Sequence, residues 1–403
     1  MAGVTERMDK RMVVRSIQAV RSVRFWFSLP LAGLLMLCGC GQFFPPLTSG
    51  SGSGSGSGGA TGDYLYVANS NSSLNTVAGF SIASGKLAGT NSSPYAIAVT
   101  PTTIAITPNN KYLYVADAIA GAIYGYTINS DGSLSVINNG NNGLVATQVY
   151  PLAMRVDTSG NWLVIADVSS DTAVFSVNSS SGALTFVSGT QVALTPGSAG
   201  RIAFNPADNL AFVAMGTGGV NVLNFNSSTG AISANQKLAS GQAGGTSLSD
   251  TSLAVSPGGN FLFVTETTTG VKVLSIASNG ALTSIAGSPY STGSSGPNDV
   301  LVDSTGSYVY VANRPDATIS AFSLNSTTGA LTPIAGSPFS TGSEPSSLAE
   351  DNTHTYIAVA CAGGSSDFEV YAIDTTTPGA LDAFGNSTTG TDPTGAFQVV
   401  ATN

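Results

Sequence analysis

The chain has 403 residues, of which 42% are hydrophobic and only 9% charged, and its formal net charge is −9. The apolar share excludes a disordered chain, and the acidic balance excludes a nucleic-acid-binding surface. Three cysteines are too few for a disulfide-built scaffold.

Six of the thirteen basic residues (Arg7, Lys10, Arg11, Arg15, Arg21 and Arg24) precede an apolar run from Phe25 to Leu37. That run falls short of the ~20 residues a membrane-spanning helix needs. A basic segment before a short apolar one has the grammar of an export signal, and its length admits a start at Met8 or Met12. Leu37-Cys38-Gly39-Cys40 resembles a bacterial lipobox: an apolar residue, two small ones, then Cys. Cys40 fits this pattern, whereas Cys38 follows bulky Leu37. Residues 1–39 therefore read as a signal peptide, and Cys40 as a lipidated N-terminus that anchors the chain in a membrane leaflet. The expected location is the bacterial cell envelope, periplasmic or at the outer-membrane surface. Residues 40–62 include the Ser-Gly repeat from Ser49 to Gly58 and read as a flexible tether spanning roughly 25 Å. Past the tether only seven basic residues face twenty acidic ones, a formal charge of −13. Cys361 is then the one cysteine left, so the core must supply the stability.

Residues 63–403 are built on a repeat. Tyr64-Leu-Tyr-Val-Ala-Asn69 recurs at Tyr112–Asp117, Trp162–Asp167, Leu210–Met215, Phe261–Glu266, Tyr308–Asn313 and Tyr356–Cys361, at intervals of 48, 50, 48, 51, 47 and 48 residues. Each unit carries four strand signals. In the fourth, Arg201–Pro206 alternates as a strand does. Leu210–Ala214 is continuously apolar, as a strand buried on both faces must be. Val220–Phe225 and Ala231–Ala234 follow, separated by Gly, Asn, Asp and Ser turns. The repeated region opens on a second strand and closes, from Pro393 to Val400, on a first strand. The pattern predicts an all-β, seven-bladed β-propeller of four-stranded antiparallel blades, closed by the C-terminal inner strand joining the N-terminal blade.

Tyr-Val-Ala-Asn, a third strand, then Ser-Thr-Thr-Gly-Ala-Leu-Thr and Ala-Gly-Ser-Pro (clearest over Val271–Pro289 and Thr318–Pro338) resemble the YVTN-type repeats of the lactonase propeller family. That family includes 6-phosphogluconolactonase-like proteins, and the resemblance runs from Asp63 to Asn403. It implies catalytic Arg, His and Glu near the central channel. The best match to the family's inner-strand motif is Gly200-Arg201-Ile202-Ala203-Phe204, with Arg201 where His is implied and Gly200 where Arg is implied. Met215-Gly216 occupies the implied Asn-Glu site, and Glu266 in the next blade stands one position early. His354 falls in a turn on the opposite face. The family's catalytic set is therefore expected not to be intact.

The residues that begin the loops after the second strands would ring the channel mouth: Asn69, Asp117, Asp167, Met215, Glu266, Asn313 and Cys361, with Arg314 beside them. Arg155, Arg201 and Asp299 stand at inner-strand positions that are small elsewhere. Alternation puts Arg155 on a face with Asp157. In one reading Arg155 and Arg201 hold an anionic or hydroxyl-rich ligand. In the other, Arg155, Arg201, Asp157 and Asp299 pair internally and the loop-start Asn and Asp cap turns. Cys361 reads as buried filler, His354 as a turn residue, and Glu350 as an unexplained charge at an apolar position. No zinc cluster, calcium loop or phosphate loop is apparent, so no metal or cofactor is expected. The expected function is a surface-tethered module, monomeric, that binds a carbohydrate or an envelope protein. The alternative is a sugar-lactone hydrolase with a rearranged site at Arg155, Arg201 and Glu266.

Overall fold

The computed structural model describes residues 60–403 apart from 61, 71–74, 84, 98, 138–140, 241–248, 269, 364–365 and 388–394. The signal segment, Cys40, the tether as far as residue 59 and Pro393 lie outside the described residues.

Seven antiparallel sheets follow one another along the chain, each ordered inner, second, third and fourth strand. The second strands are Tyr64–Asn69, Tyr112–Asp117, Trp162–Asp167, Leu210–Ala214, Phe261–Glu266, Tyr308–Asn313 and Tyr356–Cys361. Their central residues are buried because a sheet lies against each face. Blades 1, 2 and 6 carry a short fifth strand on the third: Tyr95–Ala96, Leu144–Thr147 and Phe339–Ser340. The last strand, Ala396–Ala401, pairs antiparallel with Tyr64–Asn69, Leu65 opposite Ala401 and Ala68 opposite Gln398. Blade 1 is therefore assembled from both ends of the repeated region.

The core is divided as a ring requires. Each of seven apolar clusters joins one blade to the next, including one that joins blade 7 (Ala358, Phe368, Val370) to blade 1 (Val67, Phe80, Val399). The turns between third and fourth strands complete this packing. Trp162 of blade 3 lies against Gly230 in the turn of blade 4, where an added Cβ would come within 2.4 Å of the ring. Its Nε1 donates to Ser227 O at 2.7 Å. Gly230 also has a φ of 70°, a conformation that glycine adopts without the Cβ penalty. Tyr66 and Tyr114 repeat the contact, donating to Gly132 O and Gly182 O of the following blades at 2.8 and 2.9 Å.

Candidate functional site

The inner strands line the axis, and cross-strand register sorts their side chains by depth. Opposite the fifth residue of the second strands stand Thr103, Ala153, Arg201, Asp299, Ser347 and Gln398. Blade 5 adds Ser252, whose N–H donates to Thr265 Oγ1 at 2.9 Å. Two residues further along stand Ala105, Arg155, Ala203, Ala254, Leu301, Ala349 and Val400, opposite the third residue of the second strands. The upper ring is polar except for Ala153. The lower ring is apolar except for Arg155.

The upper ring is tied together. Arg201 pairs with Asp299 two blades away. Asp299 Oδ1 accepts Ser252 Oγ at 2.5 Å and the Val300 N–H at 3.1 Å, and Oδ2 accepts the Leu348 N–H at 2.8 Å. Across the channel the Ile104 N–H donates to Gln398 Oε1 at 2.9 Å, and Gln398 Nε2 returns to Ile104 O at 3.3 Å. This waist separates two cavities that share Thr103, Gly200, Arg201 and Gln398 as lining. The upper, about 280 Å³, is walled by hydroxyls and amides that include Ser198, Asn298, Ser346 and Ser347. The Ser347 hydroxyl is buried with no hydrogen-bond partner among the described residues. The lower, about 500 Å³, is lined by apolar and polar groups in comparable share, Leu301 and Val400 beside Arg155, Thr402 and Asn403, and reaches the turns at Pro108, Thr158 and Glu350. Gly200, where the family resemblance implies an arginine, has Thr251 O 1.9 Å from any Cβ built on it. No side chain fits there unless the blade 5 backbone moves.

Arg155 lies below the waist. Its side chain is exposed within the channel and makes no hydrogen bond or ion pair with the described residues. The surrounding protein, and secondarily the charge of Arg201, hold its guanidinium below the usual arginine range. Asp157 is not its partner: the carboxylate accepts the Trp162 N–H at 2.8 Å and the Ser159 hydroxyl, closing the turn below the strand. Burial raises Asp157 above the usual carboxylate range. Glu350, unexplained in the sequence, does the same between blades. It accepts the Ser304 N–H at 2.8 Å and faces His354 Nδ1 at 3.5 Å. Burial raises it too, before any effect of charge.

The other candidates line neither cavity. Asp117 accepts the N–H groups of Ile119 and Ala120 at 2.7 and 2.8 Å, and Asp167 accepts that of Ser169 at 2.8 Å, so both hold loops. Glu266 is buried 2.5 Å from Lys272 Nζ. It lies beside Asp250, whose carboxyl is pushed up to about 6 chiefly by burial. Arg314 pairs with Glu344 at 2.9 Å on the surface. Cys361 is buried, and burial pushes its thiol up. Ser252 and Gln398 were not singled out in the sequence: Ser252 is one of the small residues usual at the position of Arg201, whereas Gln398 is a large polar side chain there and could have been found. Lys272 was missed as well, a lone charge inside the apolar strand Gly270–Ile276. Among the described residues no group of three or more His, Cys, Asp or Glu is arranged to hold a metal ion.

Seven four-stranded blades closed around a channel with a polar waist define a seven-bladed β-propeller whose candidate site lies on its axis. The sequence matches the family described as Lactonase, 7-bladed beta-propeller, over residues 59–338 and 264–397, and the chain belongs to that family. It is also similar to 6-phosphogluconolactonases of Yersinia pestis and Yersinia pseudotuberculosis, 33% identical over 84 residues, covering 20% of this chain and 24% of theirs. The chain thus spans about a quarter of the length of the curated relatives it matches. Among solved structures, a periplasmic gluconolactonase of Pseudomonas aeruginosa superposes with a TM-score of 0.63 at 17% identity, over 85% of this chain and 99% of that one. A Lactobacillus plantarum protein does so at 0.66 and 20% identity, over 85% and 100%. At these identities the likeness is one of fold.

Proposed function

We propose that this chain is an exported propeller that binds its ligand without converting it. In this reading Cys40 carries a lipid, the Gly/Ser tether holds the domain off an envelope membrane, and the upper chamber receives a hydroxyl-rich ligand, a carbohydrate or the glycan of an envelope partner. The observation that carries it is the state of Asp299. This carboxylate at the chamber floor already accepts from Arg201, Ser252, Val300 and Leu348. It has no free lone pair with which to act as a general base. The walls above it offer neutral donors and acceptors, the Ser347 hydroxyl among them, which suit a polyol better than an ion.

A second reading, a sugar-lactone hydrolase, draws on the gluconolactonase names of the relatives. The pairing of Glu266 with Lys272 and its absence from the channel lining weigh against it. The full-length chain separates the two. Binding predicts no hydrolysis of glucono- or 6-phosphogluconolactone above the buffer rate, and a saturable rise in unfolding temperature with neutral oligosaccharides. Lactone turnover that disappears in Arg201→Ala would establish the hydrolase instead. The anchor has its own test: incorporation of labelled palmitate, lost in Cys40→Ala.

A further inference from the structure

Arg155 is the one charged member of the lower ring. Arg201 above it is neutralised by Asp299, and the carboxylates that line the chamber, Asp157 and Glu350, are committed to turn donors. A guanidinium that stays charged at any working pH is thus held in a recess without an ion-pair partner among the described residues, an arrangement that favours an anion entering beside it. Alanine at 105, 203, 254 and 349 keeps the ring open. The resulting 500 Å³ lies within the range of small-molecule sites.

We infer that the lower chamber is a second binding site, separate from the polyol site above the waist, for a carboxylate with an apolar body held by Arg155. The planar fork of arginine matches a carboxylate bidentately. Ile106, Leu301 and Val400 offer apolar surface to a hydrocarbon body beside the guanidinium.

The test is calorimetric unfolding of the full-length chain with hexanoate and benzoate, and with 1-hexanol and benzyl alcohol as uncharged matches. The acids should raise the unfolding temperature saturably and the alcohols should not. Arg155→Gln should weaken the acids by about ten- to a hundred-fold, the range for a hydrogen bond to a charged group. Arg155→Lys should fall between. Equal responses to acid and alcohol, an unchanged response in Arg155→Gln, or no response to either acid at tens of millimolar overturns the site. If Arg155→Gln does not fold, Ala349→Phe keeps the charge and fills the chamber. It too must abolish the response, and a response that survives it overturns the inference. Oligosaccharide titrations on the same variants report the upper chamber separately, so either site can fail alone.

Discussion

At the waist, the Asp299 carboxylate is 2% exposed and has four donors around it, whereas the Arg201 side chain is 25% exposed to the channel. Deleting either partner breaks the same ion pair, but the remainders differ. Asp299→Ala strands the Leu348 and Val300 N–H groups, the Ser252 hydroxyl and a guanidinium. Arg201→Met leaves a carboxylate that still has three donors. Asp299→Ala should cost about 3 kcal/mol and Arg201→Met about 1 kcal/mol. Urea unfolding midpoints measure this, and equal losses would mean that Asp299 acts through Arg201 alone. Arg201 and Asp299 were legible as charges at small-residue positions, and internal pairing among them and Arg155 and Asp157 was one of two readings, but Ser252 was not singled out and the particular pair was not fixed. Arg201 and Asp299 are 98 residues apart and meet only because the ring brings alternate blades to one level. Asp157 could have been assigned, since Asp157-Thr-Ser-Gly160 has the same form as the turn Asp303-Ser-Thr-Gly306. A residue in that position serves its own turn rather than a neighbour.

At the scale of the element, the repeat writes its own turns. Gly230 and Gly189 both have positive φ, 70° and 77°. Around Gly189 nothing lies within 4 Å of a built Cβ, whereas at Gly230 the Trp162 ring stands at 2.4 Å. Gly189→Ala should therefore lose only the left-handed backbone term, about 1 kcal/mol. Gly230→Ala must add displacement of a packed indole and should lose about 2–4 kcal/mol. Thermal unfolding of the pair separates backbone from packing, and similar losses would remove the role given to the aromatic contact. The second strands were readable because burial on both faces makes them continuously apolar. The recurring turn glycine was readable as well. Its purpose was not, because the ring it receives comes from the preceding blade and no local pattern encodes that contact. The short fifth strands on blades 1, 2 and 6 went unread because a pairing as brief as Tyr95–Ala96 shows no periodicity.

On the scale of the whole molecule, the ring is closed at the seam where the last strand meets the first. The Tyr64 N–H donates to Thr402 Oγ1 at 2.9 Å, and Asn352 Nδ2 reaches Gly62 O at 3.0 Å. Asp63 lies in this seam against Asp351. Its carboxyl is pushed from 3.8 up to about 7, first by burial and then by the charge of Asp351, and the Asn352 N–H offsets little of this. Asp351 accepts the Thr355 and Tyr356 N–H groups at 2.8 and 2.6 Å and so holds its own turn, while Asp63 takes the proton. Between pH 4 and 7 the folded chain thus retains a proton that the unfolded chain has released. The folded state bears no penalty below the lower value, an increasing one as pH rises, and the full one above the upper value. Asp63→Asn removes the ionisable group, and so should match the wild type near pH 4 and exceed it at pH 8. For a carboxyl this buried, a displacement from 3.8 to about 7 corresponds to at most about 4 kcal/mol. The readout is the difference in unfolding free energy across pH, which should open between those limits. A variant less stable than the wild type at pH 8 would show that Asp63 is ionised and paired in the seam. Ring closure would then draw on a contact other than a shared proton.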